Sequence, residues 1–306
     1  MKTFIYFTER GGNTMFKVTL VTDEVSSDFE TAVELAAGWG IRNVEIRGVG
    51  DERIGAHSDY TADHIKTVIK NYGVNVSSVS PGLFKTEHHQ PTFEGWTVLK
   101  WQDRYEFEKR KRLEANIDRQ LREVLPRTID FCQSVNCSNI LMFSFNMPEG
   151  SSNDVPCPDY LMHYFTEACS MAKSAGMNLL MENEHICYGN TVENTRRLIE
   201  QIGFDNLKLN WDPGNAYFSH ENPFPEAYDK IKDIIGHVHM KDAITKADGS
   251  MEYVVKGVIN WEGQIQALMD SGFDGYLAIE THCRPKVKSA YDTLQRIISI
   301  AGKDVL

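Results

Sequence analysis

The chain has 306 residues, 42 % hydrophobic and 25 % charged, a composition that rules out a disordered or collagen-like polymer and allows one large core. With 43 acidic against 32 basic residues the net charge is −11, which disfavours nucleic acid as the main partner. No run approaches the roughly 18 to 20 apolar residues of a membrane span, and six scattered cysteines without CxxC pairs, behind an N-terminus lacking a secretory apolar stretch, fit a reducing cytoplasm.

Residues 1–15 end in a Gly/Asn turn signal and read as an extension outside the pattern that follows. From residue 16 a strand–helix rhythm begins, with a strand at 16–22, a helix near 28–38, a strand at 43–48, a helix near 60–71 and a strand at 74–80. The stretch 81–103 breaks the rhythm with Pro, Gly and aromatic residues and reads as a lid candidate. His88 and His89 fall within it, where solvent exposure is the default, and Phe93, Trp96 and Trp101 are candidates to close over a ring face. Helical patterning resumes over 104–135, where the basic run at 109–112 is interleaved with Glu106, Glu108, Glu114 and Asp118 and reads as a solvated helix face.

Further strands are expected at 139–144, 177–182, 206–211, 235–240 and 275–280, with helices near 158–175, 191–202, 223–234 and 287–301. Eight strands separated by helices favour a single-domain (β/α)8 TIM barrel over 16–306. A doubly wound sheet normally offers a Gly-rich phosphate turn after its first strand, but that position here reads TDEVSSDF, with no glycine.

In such a barrel the chemistry sits at the C-terminal strand ends, and the last four strands end in metal-ligand residue types. Strand five brings Glu182 and Glu184, strand six Asp212, strand seven His237 and His239, and strand eight Glu280 and His282. Strand alternation allows all of them, with Asn210 and Lys241, to face the barrel axis. Such a convergence of charged groups is costly unless a cation gathers it. Two or three carboxylates with one imidazole make an oxygen-rich set suited to one divalent ion, Mn²⁺ or Mg²⁺ first, with Zn²⁺ or Co²⁺ also compatible.

Five strings in order, MENE (181–184), WDPGN (211–215), HVHMKD (237–242), GVINW (257–261) and AIETH (278–282), carry a resemblance. The chain resembles the xylose isomerase-like TIM barrel superfamily, which includes sugar phosphate isomerases and epimerases and proteins like the family 2 AP endonucleases. The resemblance implies a single metal held by Glu182, Asp212, His239 and Glu280, with Glu182 and Glu280 also moving protons. It implies a metal-dependent isomerase or epimerase of a small sugar, sugar phosphate or cyclitol, working through an enediolate. A dehydratase of a keto-cyclitol is the alternative on the same ligand set. The remaining alternatives are a nuclease and a non-catalytic sugar-binding barrel.

Sugar epimerases of this group usually carry a His three residues after the strand-six Asp, where this chain has Asn215, and an Arg soon after the strand-seven His; here Lys256 is the nearest basic residue upstream of GVINW. Candidate substrate contacts are therefore Glu45, Arg47, Glu184, Asn215, His237, Lys241 and Lys256. For several of these a structural role competes. Glu45 and Arg47 read equally as an internal ion pair, Glu184 as a hydrogen-bonding partner in the strand-five loop, and His237 as a buried, satisfied imidazole. A small sugar-like substrate is the expected partner, and a homo-oligomer is compatible with the sequence.

Overall fold

In a computed structural model, which describes residues 15–88 and 101–306, eight parallel strands close into a barrel. They are β1 (Lys17–Val21), β2 (Asn43–Ile46), β3 (Asn75–Leu83), β4 (Asn139–Met142), β5 (Asn178–Glu182), β6 (Leu207–Trp211), β7 (Ile235–Met240) and β8 (Tyr276–Ile279). Each pairs with its sequence neighbour, and β1 closes the ring against β8, Lys17 opposite Tyr276 and Leu20 opposite Ile279. The fold is a single-domain (β/α)8 TIM barrel.

Alternation along the strands divides the side chains between two environments. One set, including Val18, Leu20, Val44, Ile46, Leu179, Met181, Leu207, Leu209, Val238, Met240, Leu277 and Ile279, packs in the main apolar core. The other set, with Thr19, Glu45, Ser77, Asn210, His237 and His239 among it, is equally buried but polar. Its members bond to one another, as where Thr19 Oγ1 meets Ser77 Oγ at 2.8 Å, because buried polar atoms need partners. The helices start where the sequence supplies caps. Asp28 accepts from Thr31 N ahead of Phe29–Gly38, Ser58 from Thr61 N ahead of Asp59–Tyr72, and Thr191 from Asn194 N ahead of Val192–Ile202.

Three features depart from the sequence reading. Two small antiparallel hairpins, Gly48–Val49 with Glu52–Arg53 and Asp242–Thr245 with Met251–Val254, follow β2 and β7. A short helix, Pro213–Phe218, begins directly at the end of β6. The helix expected near 223–234 is a π-helical turn, Pro223–Ala227, followed by the short helix Tyr228–Ile231. Of the extension at 1–15, residues 1–14 lie outside the described residues, as do 89–100 of the lid candidate at 81–103, with His89, Phe93 and Trp96, and the side chain of Trp101. The described ends of that stretch belong to the barrel, since β3 runs on to Leu83 and the helix Trp101–Arg119 begins at residue 101. Among the described residues no helix is long and apolar enough to cross a membrane, and the six cysteines are free.

Candidate active site

The end of β6 shows how local sequence aims a functional group. Asp212 caps the helix that follows: its Oδ1 accepts from Asn215 N at 3.0 Å, which leaves Oδ2 to face the barrel axis. Pro213 begins the helix and needs no N–H partner there. Gly214 must lack a side chain, since a Cβ would stand 2.7 Å from Lys241 Cβ. Asn183 holds Asp212 from both sides, donating to its carbonyl at 2.8 Å and accepting its N–H at 2.7 Å.

The end of β7 is fixed similarly. The carboxylate of Asp242 accepts from Ala243 N at 2.8 Å, Ile259 N at 3.0 Å and Arg296 Nη1 at 2.7 Å, while Trp261 Nε1 donates to Lys241 O at 3.0 Å. The Asp of HVHMKD and the Trp of GVINW are thus structural, orienting the strand that carries His237, His239 and Lys241.

Glu182, Asp212, His239 and Glu280 each place one donor atom within 4.8 Å of the others, and all four are buried. His239 Nδ1 lies 2.7 Å from Glu280 Oε2, 3.6 Å from Glu182 Oε2 and 4.0 Å from Asp212 Oδ2. Lys241 Nζ stands in this group as a stand-in cation, 2.5 Å from Asp212 Oδ2, 2.7 Å from Glu280 Oε2 and 3.5 Å from Glu182 Oε1. These are charge approaches rather than directed bonds: Asp212 Oδ2, Glu280 Oε2 and His239 Nδ1 have no aligned hydrogen-bond partner. Buried acceptors left in that state are costly. Three converging carboxylates and one imidazole nitrogen, with orphaned atoms on Asp212, Glu280 and His239, fit one divalent cation.

The surroundings hold the two glutamates in different protonation balances. Burial raises the Glu182 carboxyl above its ordinary range, outweighing Lys241 and His239, with the neighbouring Glu280 and Asp212 adding to the rise. For Glu280 burial also pushes upward, but Lys241, His239 and Arg47 prevail and hold it well below the ordinary value. Glu182 accepts from Asn210 Nδ2 at 3.1 Å and Asn215 Nδ2 at 2.9 Å, and Asn215 is itself fixed by Tyr253 Oη at 2.8 Å. Asn215 therefore orients a member of the cluster.

The other residues singled out in the sequence sort by position. Glu45 is fully buried, 3.2 Å from His239 Nε2 and 3.0 Å from His237 Nε2, and neither Glu45 nor His237 lines the open cavity. Arg47 bonds Glu280, Asp23 (2.9 Å) and Glu24 (2.8 Å). Glu184 pairs with Lys85 and with His185 Nδ1 at 2.9 Å and lines the same cavity as Glu182, His239 and Glu280. Lys256, beyond the second hairpin, is exposed and does not line the cavity.

Four residues that the sequence reading passed over do line it: Arg53, Ser80, Lys85 and Phe143. For Ser80, Lys85 and Phe143 a position near the end of β3 or β4 was the available signal, whereas Arg53 lies on the hairpin after β2. His282 completes the mouth, its Nδ1 2.9 Å from Glu24 Oε1. The cavity measures about 380 Å³, the scale of a small-ligand pocket. A larger cavity of about 1050 Å³ lies beside His88, Lys109 and Tyr160 and shares no lining residue with the cluster. His88 is far from an isolated surface imidazole, bonding the hydroxyls of Tyr160 and, at 2.8 Å, Tyr188.

A family model described as a xylose isomerase-like TIM barrel matches residues 33–300. The chain belongs to this family. Solved structures of similar fold include a xylose isomerase-like TIM barrel protein from Mycobacterium smegmatis in complex with magnesium, at 16 % identity and TM-score 0.70, covering 96 % of this chain and 98 % of that one. The probable 3-DHS dehydratase AsbF from Bacillus anthracis, involved in petrobactin synthesis, aligns at 16 % identity and TM-score 0.66, over 92 % of this chain and 98 % of its own. The 3-keto-D-glucoside 4-epimerase YcjR from E. coli, in its apo form, aligns at 15 % identity and TM-score 0.62, over 93 % and 99 %. No curated protein matches the chain. The xylose isomerase-like family thus spans neighbours described as a dehydratase and an epimerase, at identities that speak to fold alone.

Proposed function

We propose that this chain is a divalent-metal-dependent isomerase or epimerase of a small sugar, sugar phosphate or cyclitol, moving a proton at a carbon next to a carbonyl by way of an enediolate. The observation that carries the reading is the convergence of Glu182, Asp212, His239 and Glu280, of which Glu182, His239 and Glu280 line an open cavity. These four residues would hold the cation, which when bound supplies Lewis-acid polarisation of a substrate carbonyl. The oxygen-rich set favours Mn²⁺ or Mg²⁺, with Zn²⁺ or Co²⁺ compatible, and a magnesium-containing neighbour supports the same choice.

The chain's own groups supply the proton transfers. Glu182 and Glu280 stand on β5 and β8, with two strands between them, so they reach a molecule in the cavity from different sides. One removes the proton adjacent to the carbonyl and the other returns it, inverting a stereocentre. Return to the neighbouring carbon instead gives aldose–ketose exchange. Asn210 and Asn215 keep Glu182 aimed, and Arg47 does the same for Glu280.

Dehydration of a keto-cyclitol is the second reading, favoured by the Glu24–His282 pair. His282 Nε2 lies 3.6 Å from Glu280 Oε1 at the cavity mouth, a position from which an imidazole can serve as general acid to a departing hydroxyl. The experiment is proton exchange in D2O with Mn²⁺-loaded protein and a panel of ketoses, inososes and 3-keto sugars, followed by NMR. Metal-dependent loss of a signal next to the carbonyl, without or with water elimination, decides between the two readings. Absence of exchange across the panel with metal bound contradicts both.

A further inference from the structure

Nearly every basic group around the cavity is matched to a carboxylate. Arg47 serves Asp23, Glu24 and Glu280, Lys85 serves Glu184, Lys241 sits among Asp212, Glu182 and Glu280, and His282 meets Glu24. Arg53, on the hairpin that follows β2, is the exception among the described residues that line the cavity. Its hydrogen bonds go to one neighbour only: Nε donates to Ser80 O at 3.0 Å and Nη2 to Ser80 Oγ at 3.3 Å. Nη1 has no protein acceptor among the described residues, and Arg53 is exposed to the cavity side while Ser80 is buried beneath it.

The guanidinium is nonetheless held in place. The two bonds to Ser80 fix one edge, and Gly82, at φ +77°, lies beside it, where an added Cβ would stand in ordinary van der Waals contact with Nη2 at 3.4 Å and with Cζ and Nε at 3.7 Å. A guanidinium fixed at one edge by a serine presents its remaining N–H groups in a set direction. Desolvation against the cavity wall and the adjacent positive charge of Arg47 lower its proton affinity, and Asp23, Glu280 and Glu45, none of them paired with it, offset this only in part. In a protein of net charge −11, such a group is the local feature able to attract an anion.

We propose that Arg53 is the substrate's anion receptor, so that the molecule processed here is an acidic polyhydroxy ketone carrying a carboxylate or phosphate away from its reacting carbonyl. A planar guanidinium binds either oxyanion through paired, charge-assisted hydrogen bonds, and a neutral sugar gains nothing comparable from it. This inference rests on the proposed function only in taking the cavity over Glu182 and Glu280 as the substrate site. Arg53 thereby supplies specificity, while the glutamates act on the reacting carbon.

The test is calorimetric titration of the full-length protein, Mg²⁺-loaded, with D-gluconate, D-glucose 6-phosphate and D-glucose, matched polyols that differ in their anion. The wild type should bind at least one of the two anions about tenfold or more tightly than D-glucose. Arg53→Gln should erase that preference while leaving the Mg²⁺ isotherm and D-glucose binding unchanged, and Arg53→Lys should retain part of it. Preference for gluconate assigns a carboxylate, and preference for the phosphate ester assigns a phosphate. Equal or absent binding of all three, or a preference that survives Arg53→Gln, overturns the inference. Failure of Mg²⁺ binding in the wild type would instead contradict the reading of the four-residue cluster, and the anion comparison is then read on the metal-free protein.

Discussion

Glu45 Oε1 lies 3.2 Å from His239 Nε2, on the side of the ring opposite the nitrogen that faces the carboxylate cluster. A carboxylate at Nε2 holds a proton there and leaves Nδ1 as the nitrogen facing the cluster, where a cation would take the place of its proton, the arrangement that orients imidazole ligands at metal sites. Burial alone would raise the Glu45 carboxyl, but His239 and His237 outweigh it and keep it ionised. Glu45→Gln should weaken Mn²⁺ binding about 10- to 100-fold, measured by calorimetry, with circular dichroism unchanged. An unaltered affinity would leave Glu45 a purely structural partner of the two histidines.

Lys241 competes for the position a metal would take, its ammonium standing 2.5 Å from Asp212 and 2.7 Å from Glu280. A divalent ion and this ammonium cannot share that space, so loading must move the lysine aside. Lys241→Gln is expected to raise Mn²⁺ affinity by about tenfold or more, because a like charge is removed from a buried site. The same titration series reads the result, and a weaker affinity would show that the lysine supports the ion instead.

Glu280→Gln should retain substrate binding and measurable metal binding but lose proton exchange by about two orders of magnitude or more, the scale of removing a general base. Deuterium incorporation followed by NMR provides the readout. Near wild-type exchange with metal bound would reduce Glu280 to a ligand.

Away from the site, Glu221 accepts from Val192 N at 3.0 Å, at the start of the helix Val192–Ile202, and burial pushes its carboxyl from 4.5 up to about 7 despite that bond. A raised folded-state value means the native protein holds this proton more tightly than the unfolded chain. The contribution of Glu221 to stability is therefore most favourable below pH 4.5, declines as the pH climbs to about 7, and is flat above that. Glu221→Gln keeps an acceptor for Val192 and removes the charge. It should stabilise the protein by about 1–2 kcal/mol at pH 8, after allowance for solvent screening, and change little at pH 4. Urea unfolding at the two pH values checks the sign.

The barrel was legible because each strand is a short apolar run of regular spacing bounded by turn residues, so even β4 and β8, four residues each, stood out. The hairpins after β2 and β7 were not. Their strands are two and four residues long, and the first is too short to show a period-two pattern. That concealed Arg53, and it left Lys256 read as a substrate contact although the hairpin carries the chain out to an exposed position. Alternation did place Glu45 on the inward face, but the histidines it serves lie more than 190 residues away in sequence, a pairing set by barrel closure. Asn215 posed a similar problem, since its bond to Glu182 depends on the cap that Asp212 forms at the end of β6.

If Glu182, Asp212, His239 and Glu280 form one cation site, a Mn²⁺ titration followed by electron paramagnetic resonance will show it. One Mn²⁺ bound per chain is expected in the wild type, with losses of about 100-fold or more in affinity for both Asp212→Asn and His239→Ala. No bound Mn²⁺ in the wild type, or both variants binding as tightly as the wild type, would contradict it.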